Sequence, residues 1–146
     1  RDRIDGFLQE IKERGITVPD GYVKQGNYLS PQKSAELTEE LLDLPVPPTC
    51  ILYPNDFSAL SGAGTIAARG LSVPEDISIA GYDGIPVADA MRPRLTTLVQ
   101  DTDKMGDMAI RKLMDQINKT DEQKVEEIQV AGKVSIGGTV KKLNNI

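Results

Sequence analysis

Apolar residues recur along this chain at two spacings, and the alternation between them predicts its elements. Over residues 3–14 they fall at Ile4, Phe7, Leu8 and Ile11, the helical period, and Gly15 stands where such a helix would stop. Residues 22–26 form a short run that fits a strand. Ser30 followed by Pro31 is a helix start: a hydroxyl that accepts from the first free N–H groups, then a residue whose missing N–H costs nothing there. Ala35, Leu41 and Leu42 give that helix its apolar side, and Pro45, Pro47 and Pro48 end it.

Short apolar runs then read as strands at 49–53 and 77–81, with Cys50 expected as a small buried core residue. Between them, residues 56–69 read as a helix rich in Ser58, Ala59, Ser61, Gly62, Ala63 and Gly64. Small residues weaken a helix intrinsically but let it lie close to a sheet. A short helix at 86–91 and a strand at 95–99 follow, separated by Pro93. Asp101 or Thr102 caps a longer helix to about residue 118, with Met105, Met108, Ala109, Leu113 and Ile117 on its apolar face. A polar loop over 119–124, strand-like runs at 128–130 and 134–136, the pair Gly137-Gly138 and a polar tail complete the pattern. Strands alternating with helices predict an α/β fold with a doubly wound, mostly parallel sheet and right-handed crossovers. Ligands of such sheets bind at the carboxyl ends of the strands.

Composition narrows the function. The chain has 146 residues, the size of one ordinary domain, and a net charge of −5, unsuited to gripping nucleic-acid phosphates. No apolar run approaches the roughly 18 residues of a membrane span. A single cysteine allows no internal disulfide and fits a reducing compartment, so a cytoplasmic location is expected. Histidine is absent, which excludes Ser-His-Asp and Cys-His catalysis and any imidazole-based zinc site within the chain. Gly62-Ala63-Gly64 lies inside a helix, not between a strand and a helix, and fails as a phosphate loop. The acidic pairs Glu39-Glu40 and Glu126-Glu127 read as solvated faces. The expectation is a chain with no catalytic residue, no metal and no cofactor.

The candidate chemistry sits at strand and helix ends. Asn55 and Asp56 follow one predicted strand; either can cap the next helix, with Asp56 the better placed, and the Asn55 amide can both donate to and accept from a hydroxyl. Asp83 follows the next strand in Gly81-Tyr82-Asp83-Gly84; it is either turn chemistry or a carboxylate that takes hydroxyl donors from a polyol. Arg3 is either a solvated side chain or a planar fork for oxygens, and Tyr28 either packs or offers a platform to a sugar ring.

Taken in order, these residues resemble the effector-binding domain of LacI/GalR-type transcriptional regulators. The resemblance rests on Arg3-Ile4-Asp5-Gly6-Phe7, Pro48-Thr49, Asn55-Asp56 with Ala59-Leu60, the run from Arg69 through Leu71-Ser72-Val73-Pro74-Glu75-Asp76-Ile77-Ser78 to Gly81-Tyr82-Asp83, and Pro93-Arg94-Leu95-Thr96-Thr97. It implies two α/β lobes of the periplasmic sugar-binding type, joined by three crossings, with a small effector between them. It also implies effector contacts from Arg3, Asn55 and Asp83, stacking by Tyr28, and a contact position just after the third crossing that falls on Thr102, where the family often has an aromatic. Gly84 replaces a second acidic residue, Arg94 a second proline, and Gly137 an arginine.

The resemblance further implies that residues 1–101 form the C-terminal lobe, that 102–120 is a helix belonging to the other lobe, and that 121–146 is a return strand and tail. Arg1 falls inside a helical pattern, so the chain is expected to be cut at its start. The apolar face of the helix over 105–117 is then expected to be exposed, or buried by another chain or by rearrangement. The intact protein is expected to be a homodimer that reaches DNA only through a separate domain. The alternative from the same residues is a sugar-binding protein of a transport system.

Overall fold

The computed structural model describes residues 2–26, 30–118 and 127–142. Helix α1 spans Asp2–Glu13. It stops where Gly15 takes a φ of 71° and its N–H bonds to the Lys12 carbonyl at 3.0 Å, a left-handed end that glycine adopts without strain. Helix α2, Pro31–Leu42, begins as its sequence predicts, with Ser30 Oγ accepting from Lys33 N at 3.2 Å. The strand expected at 22–26 is not formed. Its backbone enters no ladder, and Tyr22 N–H turns back to the Pro19 carbonyl at 3.3 Å.

Strand β1 (Cys50–Leu52), helix α3 (Asp56–Ala68), strand β2 (Ser78–Asp83), helix α4 (Pro86–Ala90) and strand β3 (Thr96–Val99) then alternate. Helix α5 (Thr102–Ile117) and strand β4 (Lys133–Ser135) follow. The sheet order is β1-β2-β3-β4. The first three strands are parallel, with Cys50 opposite Ser78 and Ala80 opposite Thr96; β4 runs antiparallel, with Ser135 opposite Thr97. This is the mostly parallel α/β sheet that the alternation predicts. At the return segment, 128–130 joins no strand ladder among the described residues and the strand occupies 133–135.

Helices α2 and α3 pack together over one side of the sheet, and Leu41, Leu42, Ile51, Tyr53, Ala59, Ile66 and Ile79 are buried between them. The small residues of α3 permit this approach: a Cβ at Gly62 would lie 1.9 Å from the Tyr53 hydroxyl. A hydroxyl chain closes the contact. Thr38 Oγ1 donates to the Ser34 carbonyl at 2.8 Å, so the Tyr53 hydroxyl, 2.9 Å away, supplies the proton of the Thr38–Tyr53 bond. Burial pushes the Tyr53 phenol up to about 12.

Cys50 corrects an expectation. It is exposed, while Ile51 is buried. Neighbouring strand residues point to opposite faces. Ile51 meets the helices, and Cys50 and Leu52 take the open face of an edge strand. The polar tail is also less free than its composition predicts. Thr139 is fully buried; its hydroxyl donates to the Ile79 carbonyl at 2.8 Å and accepts from Thr96 N at 2.9 Å. Arg94 donates to Ser135 Oγ at 2.7 Å and to the Ile136 carbonyl, and Gly137 passes so near that a Cβ would lie 2.0 Å from the Arg94 carbonyl oxygen.

Helix α5 has no buried residue. Ile117 is 61% exposed, Leu113 51% and Met105 44%, as expected for the apolar face over 105–117.

Candidate ligand site at the strand ends

The carboxyl ends of the three parallel strands lie side by side, so the residues that follow them converge. Pro54 and Asn55 follow β1, Asp83 ends β2, and Gln100 follows β3. Arg3, in the first turn of α1, reaches across to this edge. It donates to the Pro54 carbonyl at 2.7 Å and lies 3.3 Å from Asp83 Oδ1. Its guanidinium carbon stands 3.9 Å from the centre of the Tyr82 ring, within cation–π range. Gln100 Nε2 donates to the same Asp83 oxygen at 2.6 Å, and Gln100 N–H donates to the Asp83 carbonyl at 3.2 Å. Arg3 and Asp83 are both partly open, with side-chain exposures of 47% and 29%.

Both donors engage Oδ1, and the Asp83 side chain stays 29% exposed, so the carboxylate can accept a further donor. The guanidinium is held by a ring and a carbonyl. A carboxylate oxygen beside a fixed cationic fork suits a hydroxyl group, which donates to the first and accepts from the second. The backbone at Asp83 is unusual as well: its φ is 113°, the only positive value at a non-glycine among the described residues.

Asn55 and Asp56 take different places from those their sequence suggests. The cap of α3 is Asn55, whose Oδ1 accepts from Ser58 N at 2.7 Å; Asp56 is the first helical residue. Asn55 is also largely buried. Asp56 is fully buried, and its oxygens meet three protein donors: Gly84 N at 2.8 Å, Ile85 N at 2.9 Å and Thr97 Oγ1 at 2.6 Å. In this geometry Asp56 holds the site's frame and presents no oxygen to a ligand. Thr102 is the exposed first residue of α5, capped by Asp101 rather than capping. It borders a cleft of about 280 Å³ that also touches Gln100 and Lys133. Tyr28 lies outside the described residues.

Sequence reasoning missed Gln100 and Tyr82. Gln100 was in principle visible, because the residue after a strand adjacent to β2 must lie near Asp83. The stacking of Tyr82 on Arg3 spans 79 positions and left no local signal.

Comparison with known proteins agrees with the geometry. Residues 1–140 match the periplasmic binding protein-like domain. The chain is 34% identical over 127 residues to the HTH-type transcriptional repressor PurR of Klebsiella pneumoniae subsp. pneumoniae, covering 86% of this chain but 37% of that protein. A solved Bacillus cereus subsp. cytotoxis chain assigned as a LacI transcriptional regulator superposes with a TM-score of 0.91 at 25% identity, over 99% of this chain and 50% of that one. The transcriptional regulator CelR, solved with cellobiose, superposes with a TM-score of 0.86 at 25% identity, over 94% of this chain and 41% of that one. The named relatives are regulators, which favours that reading over a transport protein. This chain therefore belongs to the periplasmic binding protein-like domain family, in the form found in LacI-type transcriptional regulators.

Proposed function

We propose that this chain is the C-terminal effector-sensing lobe of a cytoplasmic LacI/GalR-type regulator. It binds a small polar effector, a sugar or sugar derivative, at the strand-end cluster of Arg3, Asp83 and Asn55. The observation that carries the reading is the Arg3–Asp83–Gln100 arrangement, in which a partly exposed ion pair is oriented by a ring, a carbonyl and an amide. The cellobiose complex of CelR supports a sugar-like ligand. Among the described residues of the site no nucleophile is paired with a base, which supports a binding role.

Residues 1–101 form this lobe, 102–120 carry a helix that packs on the other lobe, and 121–146 return. The exposed apolar side of α5 supports that division, because soluble proteins bury such faces. Effector binding between the lobes shifts their arrangement, and a separate domain of a homodimer reads the change at DNA. Coupling requires that the effector bind the two arrangements with different affinity.

The test is a thermal-shift screen of sugars, sugar phosphates and nucleosides on the full-length protein. A true effector raises the unfolding midpoint by mass action. Asp83→Ala and Arg3→Ala are expected to remove that rise. A rise that survives both substitutions contradicts the assignment.

A further inference from the structure

Asp56 is a carboxylate with no exposure at all, and no cation is paired with it among the described ion pairs. Burying a charge is costly unless donors replace the lost water. Here the replacements come from two other segments. Oδ2 accepts from Gly84 N and Ile85 N, the two amides that follow Asp83, and Oδ1 accepts from Thr97 Oγ1 in β3. The first turn of α3, where Asp56 sits, adds the positive end of a helix.

The surroundings are shaped to this one side chain. A Cβ at Gly81 would lie 2.3 Å from Asp56 Oδ1 and 2.9 Å from Leu95, so only glycine lets β2 pass. Gly84 has a φ of 73° and would place a Cβ 2.7 Å from Val99. Between these glycines lie Tyr82, which stacks on Arg3, and Asp83, held at a φ of 113°. A non-glycine residue keeps such a conformation only when its neighbours fix it. The Gln100 bonds fix Asp83 itself, and the Asp56 bonds fix the two residues after it.

We propose that Asp56 is the positioning residue of this site: a buried carboxylate that never touches the effector but clamps the Gly84 and Ile85 amides and thereby holds Asp83 in its unusual backbone conformation, with its carboxylate beside Arg3. The functional meaning rests on reading Asp83 as an effector contact. The geometric claim does not, and the test reads it without any ligand.

The experiment is a crystal structure of the full-length Asp56→Ala protein, together with amide hydrogen exchange of full-length Asp56→Asn. In Asp56→Ala the expected result is that Asp83 leaves positive φ and its carboxylate separates from Arg3. If Asp83 keeps its φ and its contact with Arg3, the proposal is overturned. Asp56→Asn decides the matter if the alanine variant does not fold. Its single amide oxygen still reaches Gly84 and Ile85 while Thr97 turns to accept from the amide, but a neutral acceptor bonds about half as strongly as a charged one. Exchange at Gly84 and Ile85 should then rise about tenfold while the amides of β1 stay unchanged. Unchanged exchange at both residues overturns the proposal, and an equal rise in β1 shows general loosening and overturns it too. If the clamp is confirmed but the effector response survives Asp83→Ala, the reading of the site fails and the clamp stands.

Discussion

Two aspartates stand at the carboxyl ends of neighbouring parallel strands, and they differ in what their oxygens meet. Asp56 is fully buried and accepts from three protein donors. Asp83 is partly open, shares one oxygen between Gln100 and Arg3, and keeps a strained backbone. Position in the fold gives both the same opportunity; the partners decide their work. The carboxylate that is buried among protein donors serves the frame, and the one that stays partly open can serve a ligand. This division gives substitutions of the two aspartates different stability costs.

The largest expected effect is on the frame. Asp56→Ala leaves three buried donors without an acceptor and should cost about 4 kcal/mol of folding stability, measured by urea unfolding. A cost near that of an exposed ion pair would erase the distinction between the two aspartates. Next comes Gly81→Ala, whose methyl group would press on Asp56 and Leu95; the expected loss is about 2–3 kcal/mol.

Asp83→Gly sharpens the contrast, because it should change sign. Glycine adopts positive φ freely, and the half-exposed ion pair it removes is worth little. Stability should therefore rise by about 1 kcal/mol while the thermal shift by effector disappears. Strain kept at a ligand contact and relieved by a substitution that ends binding is the expected sign of a functional site. A loss of stability in Asp83→Gly would mean that Asp83 is part of the frame as well.

A control lies away from the strand ends. Tyr53→Phe removes the hydroxyl bond to Thr38 and should cost about 0.5–1 kcal/mol near neutral pH without changing effector response. It also has a pH signature. The Tyr53 phenol lies at about 12 in the fold, above its ordinary value of about 10, because burial favours the neutral form. Its contribution is fully present below pH about 10 and is lost as pH rises towards 12. Equilibrium unfolding across that window should show a smaller alkaline loss in Tyr53→Phe than in the unaltered protein.

Much of this was legible in the chain, for identifiable reasons. Helical spacing in α1 and α5, the Ser30-Pro31 start and the Gly15 stop are local signals, and the structure keeps them. The pairing of Asp83 with a strand end was local too. What failed depended on partners far along the chain. Residues 22–26 have strand-like composition but no neighbour in the sheet. Cys50 sits on the open face of an edge strand, and its own run gives no sign of which strand is at the edge. Helix α3 starts at residue 56 as its spacing predicts, so the cap falls on the preceding Asn55 and not on Asp56. The roles of Asp56 and Tyr82 come from contacts with residues 28 to 79 positions away, beyond the reach of any local pattern.

The most direct test of this division of labour is a crystal structure of the full-length protein with its effector bound. The account predicts an effector hydroxyl within hydrogen-bond distance of Asp83 and Arg3, with the bonds from Asp56 to Gly84, Ile85 and Thr97 intact and no effector atom near Asp56. An effector held without Asp83, or bonded directly to Asp56, would contradict it.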